Sequence, residues 1–388
     1  MNTNLSFSDL IILIGAVQGI FLSIVLWNLK SGNRISHRWL AFFLFLFALS
    51  MTGFVLWDSK MILQAHHLSM IVAPAEILLG PVFFFYILSL TRKNFSFRKI
   101  DYLHFIPFII TIAYFVPFYF ESPEEKIQFN LRSYDQLPPL WQRFSAFSTF
   151  YNIIYMLLAM LLIERHRRTI KRYYSAIDKI NLRWIQMLFA FVVIGFVCCV
   201  LLGIVGFRFG NNFSNIVFSV CIYAFGYYGM KQKEIFSDFR EEVKTDEPEP
   251  VVIKAEAVAQ RKYEKSGLSE EKATQLLSQL ENVMTVEKLF LDPELNLQQL
   301  SDKLSVSIHH VSQVLNQYKQ QNFFDYVNQL RIEEFKKQLL NPDKQHLSLL
   351  GLAFECGFNS KAAFNAVFKK QTGTTPSAYR NSLKAEIA

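Results

Sequence analysis

The feature that most constrains this chain is a series of seven apolar stretches within its first 230 residues. They run over 7–29, 39–57, 68–90, 102–120, 140–163, 184–206 and 213–230. A bilayer core of about 30 Å needs about 20 mostly apolar residues in a helix, so each stretch is long enough to cross one. Most carry Trp or Tyr at an end or within two residues of one, as interfacial belts do. The 52% hydrophobic share and 39 Phe of the chain come mainly from this region, and the composition breaks once, near Met230. An all-α protein is expected: a seven-helix transmembrane bundle over residues 1–230, a linker over 231–267 and a soluble helical domain over 268–388.

Charge divides in the same place. Residues 1–230 carry nineteen Lys/Arg against ten Asp/Glu, and residues 268–388 carry thirteen of each. The net charge of +8 therefore belongs to the apolar part, and the basic character of the whole chain is no footprint of nucleic acid. Basic residues cluster on alternate loops: Lys30, Arg34 and Arg38; Arg92, Lys93, Arg98 and Lys99; then Arg165, Arg167, Arg168, Lys171, Arg172, Lys179 and Arg183. The opposite loops hold Lys60, Lys126, Arg132, Arg143 and Arg208, beside Glu121, Glu124, Glu125 and Asp135. The bias toward positive cytoplasmic loops predicts an outside N-terminus and, after seven crossings, a cytoplasmic C-terminal domain in an inner (cytoplasmic) membrane. No Lys or Arg precedes Lys30, so the first stretch lacks a signal peptide's basic start and is expected to be retained.

Glu76 is the one carboxylate well inside a stretch, between Pro74 and Pro81, where helix irregularity can open a polar cavity. It is the candidate for sensing a signal, with a helix-end carboxylate that merely snorkels as the plain alternative. Gln18, His104, Asn152 and Gln186 are weaker companions. Neither His66 with His67 nor the four cysteines show metal-ligand spacing; Cys198, Cys199, Cys221 and Cys356 read as small buried apolar residues, and no cofactor is implied.

The linker contains TDEPEP at 245–250, where charge and proline oppose both a core and a regular helix. After it, Ser269 can cap a helix with Glu270 and Glu271 in its first turn and Ala273, Leu276, Leu277, Leu280, Val283 and Met284 on one face. Asn296 and Gln299 form a capping-box pattern, and the 305–307 Ser-Val-Ser separates that helix from a second one. The second is expected to turn Val311, Val314 and Leu315 inward and His309, Ser312, Gln313, Asn316 and Gln317 outward. The same grammar recurs about fifty residues later. Ser348 caps, Gly357 makes a turn needing positive φ, Asn359 or Ser360 caps the next helix, and Lys361, Ala362, Asn365, Ala366 and Lys369 face outward. A long helix over 323–340, ended by Asn341-Pro342, lies between the two units.

The run from Leu347 through Ala353, Cys356, Gly357, Phe358 and Ser360, continuing through Phe364, Phe368, Lys369, Lys370, Gly373, Thr375, Pro376, Tyr379 and Arg380, resembles the C-terminal signature of the AraC family of transcription regulators. The likeness covers roughly residues 285–383. It implies two helix-turn-helix units reading DNA, with RNA polymerase contact and activation. Gln320, where the family commonly has glycine, and Phe335, in place of a small residue, depart from the pattern. Base reading is assigned to His309, Ser312, Gln313, Lys361 and Asn365, and phosphate contact to Asn316, Lys369, Lys370 and the capped helix starts at Ser307 and Ser360.

The expected function is a membrane-bound, sequence-specific regulator whose membrane part senses a signal. DNA and the membrane are its partners, with RNA polymerase, a second copy of the chain and an unidentified ligand as further candidates. Two alternatives stay open: a passive anchor that releases the DNA-binding domain, and a transporter-like protein with a repurposed tail. No catalytic motif or phosphate-binding glycine loop is present, so an enzyme is not expected.

Overall fold

The structure is a computed structural model and describes residues 5–132, 136–204, 213–232, 235–236 and 268–387. It is all-α, and the described residues contain no strand beyond one isolated antiparallel bridge between Tyr174 and Asn296. Two compact units result: Met1–Glu164 with Leu182–Ile235, and Arg165–Asn181 with Phe236–Ala388. Most of the expected linker lies outside the described residues.

The first unit contains α1 (Phe7–Asn28), α2 (Arg34–Asp58), α3 (Val72–Ile77), α4 (Leu79–Thr91), α5 (Ile106–Tyr119), α6 (Pro123–Leu131), most of α7 (Pro139–Ile170), α8 (Arg183–Ile204) and α9 (Phe213–Lys231). The first two starts have a local cause. Ser6 and Asp9 form a reciprocal capping box before α1, with the Ser6 N–H donating to Asp9 at 2.9 Å and the Asp9 N–H donating to Ser6 Oγ at 3.2 Å. Asn33 caps α2 by accepting from the Ser36 N–H at 3.1 Å.

Among the described residues, four helical stretches are long and apolar enough to cross a membrane: Phe7–Asn28, Arg34–Asp58, Lys99–Tyr119 and Pro139–Ile170. A fifth arises if His66–Ile77 and Leu79–Thr91, bent by 40°, form one broken span. Arg183–Gly195 is a shorter apolar helix, and Phe213–Lys231 is also helical. α1 buries Ile12, Ala16, Leu22 and Leu26 yet leaves Ile14, Val17, Phe21 and Ile24 exposed. α5 likewise exposes Ile109 and Ile110, and α7 exposes Phe150, Leu157 and Leu161. Exposed apolar faces of this kind mark surfaces that meet a membrane or another protein.

The break at Leu78 follows from Pro81, which has no N–H to give the Ile77 carbonyl and whose ring crowds it. Asn152 of α7 compensates. Its Oδ1 accepts from the Gly80 N–H at 2.6 Å, and its Nδ2 donates to the Glu76 carbonyl at 3.1 Å. One amide side chain thus satisfies backbone groups on both sides of the irregularity.

The second unit is built from α10 (Glu270–Thr285), α11 (Leu297–Leu304), α12 (Ile308–Val314), α13 (Phe323–Leu339), α14 (Leu349–Glu355), α15 (Lys361–Thr372) and α16 (Pro376–Ile387). α11 and α12 form one helix-turn-helix, closed over α10 through Ala273, Leu276 and Val314. α14 and α15 form the other, packed on α13 through Ile332, Phe335, Leu352, Phe358, Phe364 and Phe368. Phe335 is the centre of that second core: its ring centroid lies 4.8 Å from Phe364 and 5.6 Å from Phe368. The departure from a small residue is therefore absorbed by aromatic packing. Gln320, the other departure, adopts φ +52, the left-handed conformation for which glycine is ordinarily used.

Candidate nucleic-acid interface

Both second helices of the two units start on a serine cap. Ser307 Oγ accepts from the His310 N–H at 3.3 Å, and Ser360 Oγ accepts from the Ala363 N–H at 3.0 Å. The turn before α12 is made by Ser305 at φ +55, and that before α15 by Gly357 at φ +90. Gly357 is required twice over, because a Cβ there would stand 2.7 Å from the Phe290 carbonyl oxygen as well as in a strained backbone region.

Along α15, Lys361, Ala362, Asn365, Ala366, Lys369 and Lys370 are exposed, while Phe364, Val367 and Phe368 are buried. One polar, basic face therefore stands free of the core. On α12, His309 is exposed, as is Asn316 just beyond it, and Ser312 is half-buried. Gln313 is placed differently from its sequence expectation: it is 7% exposed, not on an open outer face. α12 packs against both α10 and α11, so more than one of its faces is covered, and the inward arc reaches position 313. Lys370 is ion-paired with Asp325 of α13 at 2.8 Å, so it is held in place across the second core.

Behind these helices lies a polar hub that sequence reasoning missed. Arg331 of α13 is 1% exposed. Its Nε donates to the Phe290 carbonyl at 2.8 Å, and its Nη2 donates to the Asp292 carbonyl at 2.6 Å and to Ser175 Oγ at 3.0 Å. Burial lowers its pKa to about 10, against the raising effect of Asp292, and the guanidinium stays charged at neutral pH. Ser175 comes from far away in sequence, within the basic run 165–181. Its N–H and hydroxyl both donate to the Leu295 carbonyl, at 3.2 and 2.6 Å, and its own carbonyl accepts from Asn328 Nδ2 at 2.9 Å. The short apolar interruption Tyr173–Ile177 in an otherwise basic run was the available signal.

The first unit holds the other candidate. Glu76 accepts a hydrogen bond from Ser50 Oγ at 3.2 Å and lines a cavity of about 400 Å³ with Trp57, Asn130, Arg132 and Trp141. Asn130 is 3% exposed, and its Oδ1 has no hydrogen-bond partner among the described residues. Among the described residues, no group of three or more His, Cys, Asp or Glu could hold a metal ion.

A family described as "Helix-turn-helix domain" matches residues 300–382. The probable transcription factor PqrA of Proteus vulgaris is 31% identical over 83 residues, 21% of this chain and 66% of that protein. The bifunctional transcriptional activator/DNA repair enzyme AdaA of Bacillus subtilis is 29% identical over 101 residues, 26% of this chain and 46% of its own length. The HTH-type transcriptional activator RhaS of Mannheimia succiniciproducens is 27% identical over 114 residues, 29% of this chain and 39% of that protein. The chain thus spans between 39% and 66% of the length of these curated relatives. No solved structure matches it significantly. Residues 300–382 of this chain thus form a helix-turn-helix domain, and the relatives that the chain matches are named as transcription factors or transcriptional activators.

Proposed function

We propose that the chain is a membrane-embedded, sequence-specific transcription regulator, with seven spans, its N-terminus outside and its DNA-binding domain in the cytoplasm. The observation that carries the DNA reading is the free face of α15, where Lys361, Asn365 and Lys369 project from a serine-capped helix inside the matched helix-turn-helix domain. Lys361 and Asn365, with His309 and Ser312, read base edges. Lys369, Lys370, Asn316 and the starts at Ser307 and Ser360 meet phosphates. The exposed apolar faces of α1, α5 and α7 and the charge asymmetry of the loops support membrane insertion. RNA polymerase contact follows from the AraC resemblance, and a second copy of the chain would double the number of reading helices on one operator.

The test is selection from a random-sequence DNA library by the full chain in detergent, at defined salt because phosphate contacts make affinity salt-dependent. Enrichment of a motif with two half-sites about one helical turn (~34 Å) apart is expected. If a folded chain enriches nothing, the DNA reading is lost.

Sensing is assigned to the cavity around Glu76. A carboxylate and an unpartnered amide oxygen beside two Trp rings suit a small amphipathic ligand that donates hydrogen bonds from one end. Glu76→Gln keeps the shape and removes the charge. It is expected to change the transcriptional response of cells carrying the chain without lowering its amount in the membrane fraction. An unaltered response would make Glu76 a structural residue.

A further inference from the structure

The segment Arg165–Asn181 belongs to the second unit, and three of its residues, Lys171, Tyr173 and Asp178, make hydrogen bonds at helix starts. The Lys171 carbonyl accepts from the Phe324 N–H of α13 at 2.9 Å, and the Tyr173 carbonyl accepts from the Leu297 N–H of α11 at 2.8 Å. Such first-turn N–H groups have no partner within their own helix. Lys179 pairs with Glu294 at 3.7 Å. Asp178 then reaches the start of α15: the Ser360 hydroxyl, while accepting from Ala363, donates to the Asp178 carboxylate.

A helix start draws anions because its unpaired N–H groups and dipole point outward. In the function proposed above, the anion at Ser360 is a DNA phosphate. The structure instead has the chain's own carboxylate there. Two negative groups cannot share one cap without repulsion, and Lys361, Asn365 and Lys369 follow on the same helix. We infer that residues 171–179 form an autoinhibitory strap, anchored through Ser175 and ending in Asp178, whose carboxylate competes with the DNA backbone for the cap of α15. DNA binding lifts the Asp178 end and leaves the Ser175 anchor in place. The inference rests on the DNA reading of α15. Because the strap is covalently continuous with α7 and α8, it also offers a route by which an event in those helices changes access to DNA.

The experiment measures affinity of the full chain in detergent for the selected operator, comparing wild type with Asp178→Asn and Asp178→Ala. The contact is solvent-exposed, so its loss is expected to tighten binding about three- to tenfold. Asp343→Asn, which removes an exposed acid outside the strap, controls for net charge and is expected to change affinity less than twofold. A second readout is amide exchange of residues 176–180, which should speed up when operator is added to wild type. Equal affinity of all variants, or slower exchange in this segment on DNA binding, overturns the strap while leaving DNA reading intact. Selection of no sequence by either wild type or variants overturns the DNA reading, and the strap with it.

Discussion

The Lys361→Ala, Asn365→Ala double variant is expected to lose at least thirtyfold in affinity for the selected operator, because each base-edge contact is worth about 1–3 kcal/mol of discrimination. Both side chains are exposed and neither enters the second core, so the fold should be untouched. The check is a titration of wild type and variant against the operator and a scrambled duplex at one salt concentration. Specific binding should collapse toward the scrambled value, because phosphate-directed attraction through Lys369 and Lys370 persists. If the variant retains the same preference for operator over scramble, the two residues do not read bases.

The largest effect on stability is expected from Arg331→Ala, at about 3–5 kcal/mol, because it strands buried acceptors and leaves a void. The carbonyls of Phe290 and Asp292 and the hydroxyl of Ser175 would lose their donor at once. Set against a typical total of about 5–15 kcal/mol, this brings the second unit near its unfolding threshold. Arg331→Lys is expected to recover less than half of the loss, because a single ammonium cannot serve acceptors arrayed around a planar fork. Cys356 supplies the probe. It is 1% exposed, and burial pushes its thiol up to about 12, so it reacts only when the surrounding core opens. Alkylation at Cys356, read by peptide mass spectrometry on the full chain, should accelerate by roughly two to three orders of magnitude in Arg331→Ala. A rate within threefold of wild type would mean that the hub contributes little.

Local grammar was the legible part of this fold. The caps at Ser269, Asn296, Ser348 and Ser360, the positive φ of Gly357 and the end of α13 before Pro342 are each decided by neighbours a few residues apart, and periodicity then separates Phe364 and Phe368 from Lys361 and Asn365. The irregularity around Pro74 and Pro81 was also readable, because proline removes a donor wherever it stands. Gln313 was misplaced because a helical wheel assumes one buried face, whereas α12 has neighbours on two. The anchoring of Ser175 lay beyond local reading. Its partners are 120, 153 and 156 residues away, and positive charge around it already had a sufficient explanation in loop topology.

That separation has a consequence during synthesis. Asn328 follows Ser175 by 153 residues, and at about 5–20 residues per second a ribosome needs roughly 8–30 s to traverse that interval. Ser175 has no partner until Leu295 is made 120 residues later, and the Asn328 and Arg331 side chains that complete its anchoring come later still. The DNA-binding unit therefore cannot complete its packing from its own C-terminal stretch alone, and a nascent chain arrested before residue 331 would present an unclosed hub to the quality-control machinery.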